Sequence, residues 1–216
     1  MKILSLLSIL LICRALVVVD AFGEDDDVND LKKRADRGDA HSQVILGVYF
    51  LEGLGVSKDD ALAVGYFKKA AEQGDDLGQY QLGLCYAIGR GVPRNKALAV
   101  GWFRKAADQN RASAQFELGV RYANGDGVPK NEALSVDWYQ KAALQGHVSA
   151  QYLLGLCYLH GQGIPKNWPE AYKWALLAGA KEPRFRESIP RIERLLTPNE
   201  RAEGQRLAKE FKPTSP

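Results

Sequence analysis

Residues able to do covalent or metal chemistry are few and scattered. The three histidines, His41, His147 and His160, form no His-Glu-x-x-His pair of the kind that places two zinc ligands on one helical face. No Gly-x-Ser-x-Gly segment signals a strained nucleophile turn. Acidic pairs such as Asp59-Asp60 lie where a helix should start, and capping accounts for them. A Gly-x-Gly triplet occurs four times, at Gly53, Gly89, Gly125 and Gly161. A phosphate-cradling loop needs a strand before it. These triplets follow helical patterns, so they read as turns. The expectation is a protein with no catalytic set, no cofactor and no metal.

The elements that carry these residues follow one strict rule. Leu-Gly recurs at Leu46-Gly47, Leu82-Gly83, Leu118-Gly119 and Leu154-Gly155, always 36 residues apart and without insertion. Four units follow, 40–75, 76–111, 112–147 and 148–183. A period of this length is the mark of stacked supersecondary units. Each unit reads as helix, turn, helix. Ala150, Leu154 and Tyr158 are four apart and share one helical face. Gly161 and Gly163 then break the helix and Pro165 stiffens the link. Asp59, Asn95, Asn131 and Asn167 are placed to cap a second helix. That helix is expected to turn Ala97, Trp102 and Ala106 towards the core. Gly74 and Gly146 sit where a left-handed C-cap belongs. Gly65 and Gly101 are mid-helix, where glycine costs ~1 kcal/mol relative to alanine, and a close helix approach is the expected compensation.

One helix pair cannot bury its apolar face alone, so a stack needs caps. Residues 31–39 match Phe67 to Asp75 and read as a lone second helix closing the front. Residues 184–216 hold the closing helices and tail. There Thr197-Pro198-Asn199-Glu200 is a capping box, opening a helix to about Phe211 that should bury Ala202, Leu207 and Phe211. Cys85 and Cys157 occupy equivalent positions two units apart. Several helices would intervene between them, whereas a disulfide needs Cα atoms within ~7 Å. They read as buried small side chains.

Composition fits this picture. Hydrophobic residues make up 46% and charged residues 25% of 216, with a net charge of +3. That argues against a disordered chain, a disulfide-rich miniprotein and a polytopic membrane protein. The charge is too mild to announce nucleic-acid binding. Residues 1–21 read as an export signal: Lys2, then an uncharged, mostly apolar run from Ile3 to Ile12, then Val19-Asp20-Ala21. The run is too short to span a bilayer, which needs ~20 residues, so no stable membrane anchor is expected. Cleavage after Ala21 or after Ala15 both fit. Ile12 is too bulky for Cys13 to be a lipoprotein site. Residues 22–30 form an acidic tail, through Glu24, Asp25, Asp26 and Asp27.

The recurring Ala-Gln-x-x-Leu-Gly-x-x-Tyr, Gly-x-Gly-Val-Pro-[Lys/Arg]-Asn and Trp-x-x-Lys-Ala-Ala resemble the Sel-one-like repeat family, a branch of the tetratricopeptide superfamily. The resemblance covers 40–183, and more weakly 31–39 and 184–212. It implies an all-α, right-handed α-solenoid that binds other proteins. Some secreted relatives staple each helix pair with a disulfide and are linked to penicillin binding. This chain lacks those cysteine pairs, so a β-lactamase-like hydrolase is disfavoured.

In such a superhelix the face opposite Ala150, Leu154 and Tyr158 lines the inner surface. Tyr80, Phe116 and Tyr152 form an aromatic column there, and Gln81, Glu117 and Leu153 vary beside it. The column could serve as partner anchors, or it could pack between adjacent first helices. Glu117, Asn124 and His160 are expected to be exposed, Arg121 to stand at the groove edge, and Ile88 to belong to the same set. Two basic features accompany them. One is a ladder of Lys58, Arg94, Lys130 and Lys166. The other is the C-terminal cap from 181 to 216, with nine basic and six acidic residues. The resulting expectation is a non-catalytic periplasmic protein, monomeric or weakly dimeric, that binds no nucleic acid. The resemblance extends to exported immunity proteins that neutralise phospholipase toxins delivered by type VI secretion. A cell-envelope scaffold or signalling regulator with several partners is the alternative.

Overall fold

A computed structural model describes residues 28–214. The export signal expected at 1–21 and residues 22–27 of the acidic tail lie outside the described residues. Every regular element among the described residues is helical. The chain divides into two compact units, at Asn95 and Lys96, inside the second repeat. In both units successive helices pack against their neighbours, making the fold an all-α solenoid of helix-turn-helix repeats.

The first unit holds α1 (Val28–Asp36), α2 (Ala40–Glu52), α3 (Asp60–Glu72) and α4 (Asp76–Ile88). The lone helix α1 buries Leu31 and Ala35 against Ile45, Leu46 and Tyr66. Asp39 and Asp75 cap α2 and α4, accepting from the amides of Ser42 at 2.9 Å and Gly78 at 2.6 Å. Asp59 caps α3 by accepting from Leu62 N at 2.9 Å. Glycine in the Leu-Gly pair is required by contact. A Cβ on Gly47 would lie 2.5 Å from a ring carbon of Phe67 on the paired helix. The glutamine column ties the first helix of each repeat to the helix before it. Gln43 donates to Ala35 O at 3.0 Å, and Gln79 to Ala71 O at 3.3 Å. Burying these amides without such partners would cost several kcal/mol.

The second unit holds α5 (Lys96–Asp108), α6 (Ala112–Asn124), α7 (Glu132–Leu144), α8 (Val148–His160) and α9 (Trp168–Lys181). A 3-10 turn (Pro183–Ser188), α10 (Ile189–Glu193) and α11 (Pro198–Glu210) follow. The same devices recur. Gly119 meets Tyr139, with an added Cβ 2.5 Å from the ring. Gln115 and Gln151 donate to Ala107 O at 3.4 Å and Ala143 O at 3.2 Å. Asn131 and Asn167 cap α7 and α9. Phe116, Val136, Tyr139, Leu154 and Trp174 form the core of the stack, with Phe211 packed against it.

Three expectations about packing need correction. The buried stripe of α5 is Ala99, Val100, Phe103, Ala106 and Ala107. Ala97 stands two residues from Ala99, about 200° away, and is exposed, while Trp102 is half-buried. On α11 Ala202 is also exposed. The helix approaches α9 instead through Gly204, where a Cβ would lie 2.9 Å from Pro169 O and from the Tyr172 ring. Gly65 and Gly101 make no close helix approach at all: a Cβ on either would meet nothing within 4 Å.

Candidate partner-binding surface

The aromatic column is packing. Tyr80 and Phe116 are buried. Phe116 stacks on the His147 ring at 4.7 Å and lies tilted against Tyr139 at 6.1 Å. Tyr152 is half-buried because Phe185, from the 3-10 turn, stacks on it at 4.4 Å. His147 caps α8, the first helix of the repeat after that of Phe116, and the 3-10 turn begins where the next repeat would open. The closing segment therefore gives Tyr152 the lid that a following repeat gives Phe116. None of the three rings stands free as a partner anchor.

The expectation for Glu117 is overturned. Glu117 is only 4% exposed and Arg121 8%. One helical turn apart on α6, they form an ion pair at 3.1 Å. Arg121 also reaches Asp126 at 3.4 Å, and Asp126 receives Lys96 at 2.5 Å. The Arg121 guanidinium lies 5.8 Å from the Phe103 ring. The equivalent residues in the second repeat are Gln81 and Cys85, so the pair is peculiar to the third. A buried carboxylate is costly unless paired, and a mate at i+4 supplies the pairing locally.

Three of the expected residues remain open to solvent. Ile88 is 47% exposed, and Asn124 and His160 are exposed too. Each is the last residue of its helix, followed by a glycine with φ of +79°, +72° and +73° respectively. The chain turns away there, so nothing stacks on the side chain. The equivalent first-repeat residue is Glu52, also exposed. One structural position thus presents four different chemistries. Gln81 and Leu153 are half-buried beside this set.

The sequence reading missed a second exposed set. Leu62, Leu98 and Leu134 are the third residues of α3, α5 and α7, and each is more than a third exposed. Their 36-residue recurrence was the available signal. Trp168, 37% exposed, opens α9 beside a notch of about 370 Å³ lined by Lys166, Asn167, Pro169 and Glu200. The basic ladder lies in the same hairpin turns. Lys58, Arg94, Lys130 and Lys166 are all exposed, with Lys130 paired to Glu132 at 2.6 Å.

This surface has little to offer covalent chemistry. Burial pushes the Cys85 thiol up to about 12 and the Cys157 thiol up to about 11, so neither forms the nucleophilic thiolate at neutral pH. Among the described residues no group of three His, Cys, Asp or Glu is placed to hold a metal ion. Nor is any described helix long and apolar enough to cross a membrane.

A family model for the Sel1 repeat matches residues 40–75, 76–110, 112–147 and 148–182. The chain belongs to the Sel1 repeat family. Its repeats make a solenoid suited to protein–protein interaction. A Sel1 repeat protein from Oxalobacter formigenes is similar at 32% identity and a TM-score of 0.68, over 73% of this chain and 47% of that one. The protein c5321, a protective antigen of uropathogenic Escherichia coli, is similar at 28% identity and 0.56, over 84% and 47%. The chain thus spans about half the length of these two solved relatives. The immunity protein Pa5087 from Pseudomonas aeruginosa shares the fold at 21% identity and 0.50, over 89% and 76%. No curated protein matches the chain.

Proposed function

We propose that this Sel1 repeat protein is exported to the periplasm, where it binds and neutralises a toxic effector, such as a phospholipase delivered by type VI secretion. One observation carries the reading. Ile88, Asn124 and His160 occupy one exposed position in three successive repeats yet share no chemistry, while the Gln and Leu-Gly columns beneath them repeat unchanged. Stacking does not constrain the exposed position, so it can be matched to one partner without loss of fold. Specificity of that kind, varied side chains on a fixed frame, suits the tight capture of a single target. Neutralisation would then work by occlusion. A protein with the same fold serves as an immunity protein, so the fold is compatible with the task.

The test is protection. Cells producing a periplasm-directed phospholipase effector are made to co-express this chain, with or without residues 1–21. The reading expects growth to be restored only by the chain that carries the leader. Equal protection by both chains would contradict export. Failure of either to protect against any effector encoded beside it would contradict neutralisation.

A further inference from the structure

Helix α11 stops at Glu210, and Phe211 turns to extended backbone at φ −64° and ψ 125°. Pro213 has no amide proton to give, so the helix does not resume. Residues 211–214 instead cross from α9 to the end of α7. Phe211 meets the Trp174 ring edge-on at 5.4 Å, and the Thr214 amide donates to Leu144 O at 2.9 Å. The segment is a strap over the seam between the second helices of the third and fourth repeats.

The third repeat shows why this seam accepts a strap. Its equivalent tryptophan, Trp138, has Arg104 of α5 at 5.9 Å and Lys141 at 4.1 Å from the ring. The residues matching these cations around Trp174 are Gln140 and Leu177. Only Lys173, from α9 itself, stands over the Trp174 ring, at 4.4 Å. Phe211 covers an edge that no cation from α7 covers.

The strap fits its seat incompletely. Trp174 is 3% exposed, and its Nε1 has no acceptor among the described residues. Gln151, 1% exposed, donates to Ala143 O, but its Oε1 has no donor there either. In the third repeat the matching oxygen, on Gln115, receives Gln145 Nε2 at 2.8 Å. The residue equivalent to Gln145 is Lys181, which is exposed and has no ion-pair partner among the described residues. A Cβ on Gly146 would lie 3.4 Å from Lys181 Nζ and 3.7 Å from the Pro213 ring, so the lysine and the strap adjoin one glycine. Buried polar atoms without partners cost stability. The strap brings Lys212 and Pro213, and no anion, to a seat that already holds a cation.

We propose that this seam is a peptide-binding site closed by the chain's own C-terminus. Its partner is an extended acidic segment, with an aromatic residue for Trp174 and a carboxylate two residues later for Lys181. The strap competes as a tethered ligand, so the partner binds only when the strap leaves. Gly146 precedes α8 and His160 ends it, ~20 Å apart along the helix. The seam is therefore a second surface, and it stands whether or not the exposed helix ends capture a toxin.

The experiment is fluorescence anisotropy with a labelled, end-blocked peptide of residues 209–214, titrated with the full chain. Phe211→Ser and Thr214→Pro open the strap, the second by removing only the amide that reaches Leu144. Both opened chains bind the peptide at least about tenfold more tightly than the parent, whose own strap holds the site. The peptide with serine in place of its phenylalanine does not bind. A Pro213→Glu peptide binds roughly threefold more tightly than the native one, and loses that advantage in high salt. Circular dichroism checks that both opened chains are folded. No binding to either folded, opened chain would overturn the proposal, and so would equal binding to the parent. A Pro213→Glu peptide that binds no better would overturn the acidic class of partner.

Discussion

In the first unit the hairpin turn after α4 is held by Arg90, which reaches Asp60 at 3.1 Å and Glu52 at 3.0 Å. In the second unit the equivalent of Arg90 is Asp126, and the equivalent of Asp60 is Lys96, 2.5 Å away. The cation and the anion have exchanged places. The backbone beside them is the same. A Cβ on Gly91 would lie 2.2 Å from Asp60 O, and one on Gly127 2.4 Å from Lys96 O. The two regions separate what stacking demands from what it tolerates. Glycine against a carbonyl is demanded, whereas either polarity satisfies the ion pair. The third repeat adds the buried Glu117–Arg121 pair, which the first unit does without.

Substitutions that treat the units alike should have the largest effects. Gly47→Val in the first unit and Gly119→Val in the second force methyl groups into the Phe67 and Tyr139 rings. Each should cost about 3 kcal/mol in urea unfolding, the upper end of the usual range for overpacked cores. A marked difference between the two would show that the glycine column does different work in the two units.

The buried pair distinguishes them. Arg121→Cys takes the i+4 mate from a buried carboxylate and should cost about 3 kcal/mol, as breaking such pairs does. Adding Glu117→Gln installs the residues of the second repeat, Gln81 and Cys85, and should recover most of the loss. A double variant as unstable as the single one would mean that the pair itself supports the third repeat, and not merely the balance of the buried Glu117 charge.

At the exposed turns the changes are smaller. Arg90→Asp places three carboxylates together and should cost about 1 kcal/mol. Asp60→Lys on top of it copies the polarity of the second unit and should restore stability. Gly65→Ala and Gly101→Ala fill open space. Each should stabilise by about 0.5–1 kcal/mol, because alanine loses less freedom in a helix.

An effect of similar size depends on pH. Hydrogen bonds from the Ser42 side chain and amide hold the Asp39 carboxyl below its ordinary range. A depressed folded value means the contribution is present above the unfolded value, ~3.9, and is lost as pH falls through the folded one. Asp39→Ala should therefore cost about 1 kcal/mol at pH 7. The deficit should vanish in acid, as urea midpoints measured at both pH values would show.

Nearly all of the stacking was legible in the sequence, because the 36-residue period writes each packing residue four times. Leu-Gly, the glutamine column and the caps at Asp59, Asn131 and Asn167 are all repeated features with a single physical reason. The surface was legible only in part. Period alone does not tell a ring packed between repeats from a ring facing solvent, so Tyr80 and Phe116 remained ambiguous until His147 was seen stacked on Phe116. Glu117 misled because a lone glutamate on a helix face is normally solvated, and its mate Arg121 had been assigned to a groove edge. Ala97 and Ala202 misled through helix phase, which small residues mark weakly. The leucines at 62, 98 and 134 were visible as a column, but the period does not say on which side of the helix a column falls.

The claim that matters most is that partner recognition resides at the free helix ends and not in the aromatic column. Calorimetric titration of the neutralised effector against Ile88→Glu/Asn124→Lys/His160→Glu tests it, with Tyr152→Ala as the comparison. The account predicts that the triple variant, still fully helical, loses at least a hundredfold in affinity, about 2.7 kcal/mol, while Tyr152→Ala binds nearly as well as the parent. Unchanged binding by the folded triple variant, with loss confined to Tyr152→Ala, would contradict it.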